Sequence, residues 1–361
     1  MESIAGLDIK TDCLFFKGDL PCAPHKKTGE HCASCAAYQK ISKRILIIKL
    51  GAIGDVIRTT PLIRRIRKEF PNAKISWLTH TPAILPVQSI DEILKYDFTS
   101  VLYLQQVKFD IVYNLDKDKD ACAFVNTINA THRFGYHLKN GVPFPMNQLA
   151  EHKFSTGLFD DVSKANQKSY VQEIFELAGW NFEGEEYLFD NHQDKGFVWN
   201  LPTGKKLIGL NTGCGDRWTT RLWPETHWVK LIQLLQQEGF EPVLLGGEQE
   251  HEKNKNLASV TGAHYSGFHS LPKFINLMYQ MDLIVTQVTM AMHIAVALQK
   301  QMVLMNNIFN PFEFELYKRG QIISPSKPCE CYFQGACKNG QSCMTELSAE
   351  SVLHAIKANV K

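Results

Sequence analysis

Short β-branched runs alternate along the chain with segments whose apolar residues recur at helical spacing. Arg44-Ile-Leu-Ile-Ile-Lys-Leu50 is nearly continuous in aliphatic residues, as a parallel strand buried on both faces must be. Gly51-Ala-Ile-Gly54 follows as a tight turn, and Asp55 opens a helical pattern. Val56, Ile57, Leu62, Ile63 and Ile66 share one side of it, with Arg64, Arg65, Arg67 and Lys68 largely on the other. Pro61 inside the pattern predicts a kink or a delayed helix start. Further strands are predicted over 73–78 and 109–115. The alternation restarts with a strand over 206–211 and the turn Thr212-Gly-Cys-Gly215. A helix from near Pro224 then runs through Trp228, Leu231, Ile232 and Leu235 to Gly239. Strands over 241–245, 282–286 and 302–305 and a helix over 292–298 complete the second half. The expected class is α/β, with two Rossmann-like domains facing each other across a cleft and ligands at the carboxyl ends of the strands.

Composition narrows the function. The chain has 361 residues, 44% hydrophobic, with 39 Lys and Arg against 37 Asp and Glu. A net charge of +2 does not suit a nucleic-acid binder driven by bulk charge, so no nucleic-acid partner is expected. No run reaches the roughly 18 apolar residues of a membrane span, and no signal-peptide core opens the chain. A cytoplasmic globular protein is expected. Its anticipated organisation is a Cys-rich segment over 1–40, one α/β domain over 41–195, a second over 200–325, and a Cys-rich finger with a closing helix over 326–361. A polar linker is expected over 191–205.

The ten cysteines are clustered: Cys13, Cys22, Cys32 and Cys35 at one end, and Cys329, Cys331, Cys337 and Cys343 at the other. In a cytosolic chain such groups suit a structural Zn or Fe ion better than disulfides. His25 and His31 add potential ligands to the first group. The competing reading is a set of reduced thiols packed as small apolar groups.

Several loop residues carry candidate chemistry. Gly51, Gly54 and Asp55 form either a phosphate-binding turn or a simple strand-to-helix turn with Asp55 as N-cap. A carboxylate there could also serve as a general base toward a hydroxyl. In the second half, Thr212, Gly213, Arg217 and Arg221 offer backbone N–H groups and guanidiniums suited to a diphosphate. Trp218 and Trp223 either wall that site or anchor packing. Glu248, after Gly246-Gly247, could bind ribose hydroxyls or answer the following helix dipole. Thr289 could cap a helix, with His293 meeting a phosphate or acting as an ordinary polar residue.

The run from Arg44 through Gly51-Ala-Ile-Gly-Asp55 to Leu62 resembles the opening of glycosyltransferase family 9, the ADP-heptose:lipopolysaccharide heptosyltransferases. So do Gly209-Leu-Asn-Thr-Gly213, Arg221-x-Trp-Pro224, Leu244-Leu-Gly-Gly-Glu248 and Met292-His-Ile-Ala295, in family order. The resemblance implies a GT-B fold and metal-independent inverting transfer, with Asp55 as base. It implies an acceptor near Gly51, Gly54 and Arg58, and an ADP-sugar held by Thr212, Gly213, Arg217, Arg221, Glu248, Thr289 and His293. The implied product is a heptosylated (or similarly glycosylated) lipopolysaccharide, glycan or protein hydroxyl. The C-terminal cysteines resemble those of members that modify autotransporter proteins and carry an iron-binding finger. The chain departs from the family at Val288, where an acid is usual, and at Met290, where glycine is usual. The alternative is a weakly active or inactive member, a metal-stabilised nucleotide-sugar-binding or assembly protein. The basic residues between Arg58 and Lys68 read as a solvated face or as a dock for an anionic glycolipid at the inner membrane.

Overall fold

A computed structural model describes residues 2–4, 6–189, 197–327, 329–338 and 340–360. Part of the expected linker over 191–205 therefore lies outside the described residues. The chain divides into two compact units, but not at one linker. One comprises Met1–Gly51, Pro61–Glu151 and Glu176–Trp180; the other comprises Ala52–Thr60, His152–Phe175 and Asn181–Lys361.

In the first unit a small antiparallel hairpin, β1 (Glu2–Ile4) and β2 (Leu7–Ile9), precedes the main sheet. That sheet contains β3 (Arg44–Ile48), β4 (Lys74–Thr79), β5 (Glu92–Lys95), β6 (Lys108–Asn114), β7 (Asn129–Lys139) and β8 (Val142–Pro145). Their order is β5-β4-β3-β6-β7-β8, parallel except for the β7–β8 pair. Starting at the centre and winding outward both ways is the doubly wound arrangement of nucleotide-binding sheets. Ile45 through Ile48 are fully buried, as their unbroken apolar run requires. Asn140 and Gly141 join β7 to β8 with positive φ at both positions, 52° and 80°, the geometry that suits a tight hairpin.

The predicted interruption at Pro61 is present: one helix covers Ile53–Ile57 and another restarts at Pro61 and runs to Glu69. Proline opens a helix at no cost because its missing N–H lies among the unbonded first-turn donors. The N-cap of the first helix is Ala52, so Asp55 lies within the first turn and is not the cap. The basic side of the second helix is not simply solvated. Arg65 is buried and paired with Glu69, and Arg67 donates to the carbonyls of Ala73 and Ser89 and to Asp91. Arg65 and Arg67 are thus spent on internal contacts, while Arg64 and Lys68 stay exposed.

The second unit holds β9 (Leu207–Asn211), β10 (Glu241–Leu245), β11 (Leu283–Gln287), β12 (Gln301–Met305) and β13 (Gly320–Ile323). All pair in parallel in the order β10-β9-β11-β12-β13. The helix Glu225–Gln237 buries Trp228, Leu231, Ile232 and Leu235 against this sheet, and the closing helix Ala349–Asn359 adds Val352, Ala355 and Ile356 to the same core. Each of the larger aliphatic side chains among them contributes about 1.5–3 kcal/mol on removal from water. No helix among the described residues is long and apolar enough to cross a membrane.

Candidate active site

The strand order of the second sheet reverses between β9 and β11, and a crevice must open where the flanking loops diverge. A cavity of about 720 Å³ lies there, walled by Asn211 and Gly213 after β9, Gly246 and Gly247 after β10, and Val288 and Thr289 after β11. Thr289 caps the helix Met290–Ala297, its hydroxyl accepting the Ala291 N–H at 3.1 Å. The same unit contributes the Ala52–Thr60 segment, whose Gly54, Asp55 and Arg58 also line the cavity.

Gly54 is required by a close approach rather than by its turn. A Cβ at this position would lie 2.5 Å from Cδ2 of His293, so the short helix can rest on the imidazole only if residue 54 has no side chain. His293 is itself buried, with its ring stacked on Tyr187 at 6.4 Å between centroids and its Nδ1 without a hydrogen-bond partner. Burial, followed by the Arg58 cation, brings its pKa down to about 3 against a weaker opposing pull from Asp55. His293 is thus a neutral imidazole at physiological pH, lying under the Asp55 segment and lining the cavity.

Arg58 links the carboxylates around it. Its guanidinium lies 2.7 Å from Asp55 Oδ1 and 2.7 Å from Glu313 Oε1, and stacks 3.4 Å above the Tyr170 ring centroid. Burial opposes its charge, but Asp55, Glu313 and Tyr170 outweigh that and raise its pKa. The pairing also fixes where the Asp55 carboxylate points.

Arg221 has a contrasting environment. Its three nitrogens donate to the main-chain carbonyls of Trp218, Val288 and Cys214. It is buried, it lines the cavity, and no carboxylate among the described residues forms an ion pair with it. Burial pulls its pKa down, yet a guanidinium stays charged, so an uncompensated cation faces the cavity. Arg217 stacks on Trp218 at 4.4 Å and lines the same wall. Lys253 is directed elsewhere, donating to the Thr212 carbonyl at 2.8 Å.

Among the residues singled out from the sequence, Gly54, Asp55, Arg58, Gly213, Arg217, Arg221, Thr289 and His293 line this one cavity. Three do not. Gly51 follows β3 by three residues and belongs to the other unit, with its N–H 3.4 Å from Asp116. Thr212 is fully buried and its hydroxyl donates to Asn254 at 2.6 Å, so it braces the turn from behind. Glu248 is exposed on a short helical turn, and Glu250 two residues later reaches the cavity instead. Glu250 accepts the Gly247 N–H at 2.9 Å and lies so close to Gly213 that any side chain there would collide with it. Of the two tryptophans, Trp218 walls the cavity, whereas Trp223 is a core anchor whose indole donates to the Leu347 carbonyl. Sequence reasoning missed Glu250, Glu313, Phe309 and Phe333. Only Glu250 carried a local signal, an acid three residues after the glycine at which the helical turn starts.

The cysteines form two separate groups. Cys13, Cys22, Cys32 and Cys35 line a second cavity of about 180 Å³ together with His25 and His31. At the other end Cys331 Sγ lies 3.7 Å from Cys337 Sγ, and backbone N–H groups of Cys331 and Lys338 point at the Cys329 and Cys331 sulfurs. Burial, with Cys343 alongside, pushes the Cys329 thiol up to about 12. All these cysteines are free thiols, and no group of three or more His, Cys, Asp or Glu among the described residues is arranged to hold a metal ion.

Two doubly wound parallel sheets, the second with an anion-ready cavity at its switch point, define the GT-B class of glycosyltransferase folds. Residues 102–341 match the family described as Glycosyltransferase family 9 (heptosyltransferase), and the chain belongs to that family. It is 25% identical over 236 residues to lipopolysaccharide heptosyltransferase 1 of Escherichia coli (strain K12), covering 60% of this chain and 72% of that protein. The family 9 glycosyltransferase of Veillonella parvula DSM 2008 superposes with a TM-score of 0.68 at 18% identity, over 89% of this chain and 97% of that one. The E. coli heptosyltransferase WaaC with ADP superposes at 0.62 and 18% identity, over 88% of this chain and 99% of that one.

Proposed function

We propose that the protein transfers a heptose or a related sugar from an ADP-linked donor to a hydroxyl group, with Asp55 as general base and Arg221 and Arg217 holding the diphosphate. The observation that carries this reading is that Arg221, a buried cation without a carboxylate partner, walls the same cavity as Asp55. A diphosphate supplies the missing counter-charge. A relative of known structure was solved with ADP, and another, the heptosyltransferase TibC, with ADP-D-beta-D-heptose. In the reaction Asp55 takes the acceptor hydroxyl proton and the oxygen attacks the anomeric carbon. The carbon–oxygen bond to the diphosphate breaks, and ADP leaves with the electron pair. Cations at the diphosphate stabilise the charge that develops on it.

A second reading, nucleotide-sugar binding without transfer, is favoured by the Asp55–Arg58 ion pair, because a paired carboxylate is a weaker base. One experiment separates the two. Purified protein is mixed with ADP-heptose and, in turn, lipopolysaccharide core, oligosaccharide or protein acceptors, and ADP release is followed. Transfer by the wild type should fall by about 100-fold or more in Asp55→Asn with ADP affinity kept. Full activity in that variant removes the base assignment, and donor binding without ADP release on any acceptor selects the second reading. Thermal stabilisation by neither ADP nor ADP-sugars removes both.

A further inference from the structure

The geometry points to the Cys-rich finger as a functional wall of the transfer cavity, with Phe333 as a specificity-determining residue that packs against the sugar of the donor. This rests on the nucleotide-sugar reading above. Phe333 is placed with some force. It adopts φ 49°, a left-handed conformation that a bulky L-residue takes only when its surroundings impose it. Both neighbours are pinned. The Tyr332 hydroxyl is 2.8 Å from Ser163 Oγ, and the Gln334 carbonyl accepts the Thr220 hydroxyl at 3.1 Å. Between these two anchors the Phe333 ring enters the cavity wall and remains 36% exposed, although its neighbour Tyr332 is buried.

The ring is part of an aromatic cluster beside the diphosphate cation. Phe333 lies 5.1 Å from Phe309 and 5.6 Å from Trp218, edge to face in both cases. The Arg221 guanidinium is 5.6 Å from the Phe309 ring and 5.8 Å from that of Trp218. Phe309 also contacts Phe314, the residue following Glu313, which pairs with Arg58 beside Asp55. The aromatic surface thus connects the two ends of the chemistry, the cation for the leaving group and the base for the acceptor. Of the two groups that a diphosphate on Arg221 would carry, the sugar is the one whose anomeric carbon must come within reach of Asp55, so the surface running from Arg221 toward the Asp55–Arg58–Glu313 group is assigned to the sugar. The apolar faces of a sugar ring pack on aromatic rings, while the sugar hydroxyls stay free for polar partners. Phe333 is the partly exposed member of the cluster contributed by the finger, so the finger's position sets the width of the sugar subsite.

The test compares wild type, Phe333→Gly and Phe333→Tyr for binding of ADP and of ADP-heptose, and for KM and kcat. Glycine accepts positive φ without strain, which offsets part of the lost ring packing, and thermal melts of each variant with and without ADP separate a folding defect from a binding one. Phe333→Gly should keep ADP affinity within about twofold and lose about tenfold in its preference for ADP-heptose over ADP, the scale of one aromatic contact. Phe333→Tyr should restore that preference. An unchanged preference in Phe333→Gly overturns the inference, as does a change confined to the acceptor KM. Wild-type protein that binds ADP-heptose no better than ADP also overturns it, while leaving the nucleotide-binding reading intact. Wild-type protein that binds neither overturns both.

Discussion

Two largely buried guanidiniums line one cavity, and their surroundings divide the labour. Arg58 lies between two carboxylates and above a tyrosine ring, so its charge is consumed by Asp55, Glu313 and Tyr170. Arg221 is mounted on three carbonyls, which orient it without neutralising it. A cation in the first setting is a positioning group, whereas one in the second is an anion receptor. The residue type does not distinguish the roles; the counter-charge does. Arg58, which the family resemblance places near the acceptor, is held between Asp55 and Glu313 and fixes where the Asp55 carboxylate points.

The comparison can be broken most directly at Arg58. Arg58→Ala leaves Asp55 and Glu313 without their shared cation, so stability should drop by about 3 kcal/mol and transfer should fall with it, while ADP affinity stays nearly constant. Denaturant melts and ADP titration of the same sample check this, and a large loss of ADP affinity would collapse the distinction. Arg221→Ala should do the opposite, weakening ADP by about 10- to 100-fold, with adenosine binding little affected because it lacks the diphosphate. Gly54→Ala probes the surface on which the Asp55 segment rests. Its Cβ meets the His293 ring, and the expected cost is about 1–3 kcal/mol in thermal or chemical unfolding. Near neutral pH the smallest effect is that of His293, whose contribution changes only as pH falls below about 6.5. Its folded pKa of about 3 lies below the ordinary histidine value of 6.5, so the unfolded chain binds the proton more readily. The stability this contributes is fully present above about pH 6.5 and is lost as pH falls toward 3, by at most about 1.4 kcal/mol per pH unit. His293→Gln should flatten that slope between pH 6.5 and 5; an unchanged slope would mean that other groups dominate it.

Much of the fold was legible because burial on both faces writes itself into composition. The predicted strand over 241–245 coincides with β10, and those over 206–211 and 282–286 match β9 and β11 to within a residue or two at each end. The break at Pro61 was equally plain, since proline chemistry is local. At the site, Asp55, Arg217 and Arg221 were legible as charged residues beside glycine turns. Glu313 was not, because its meaning comes from Arg58, 255 positions away in the chain. Glu248 and Glu250 show the same limit at short range: both are acids after a double glycine, and only the path of one helical turn decides which reaches the cavity.

By itself the sequence determined the two α/β halves, the family, and the set of charged residues from which the site is built. Those features follow from periodicity, turn chemistry and motif order, which act over a few residues at a time. Only the tertiary structure decided which guanidinium keeps its charge available, why residue 54 must be glycine, and that a phenylalanine of the Cys-rich finger stands in the cavity wall. Each of these depends on which distant groups share a small, dry volume, and charge compensation and close packing are properties of that volume rather than of any segment of the chain.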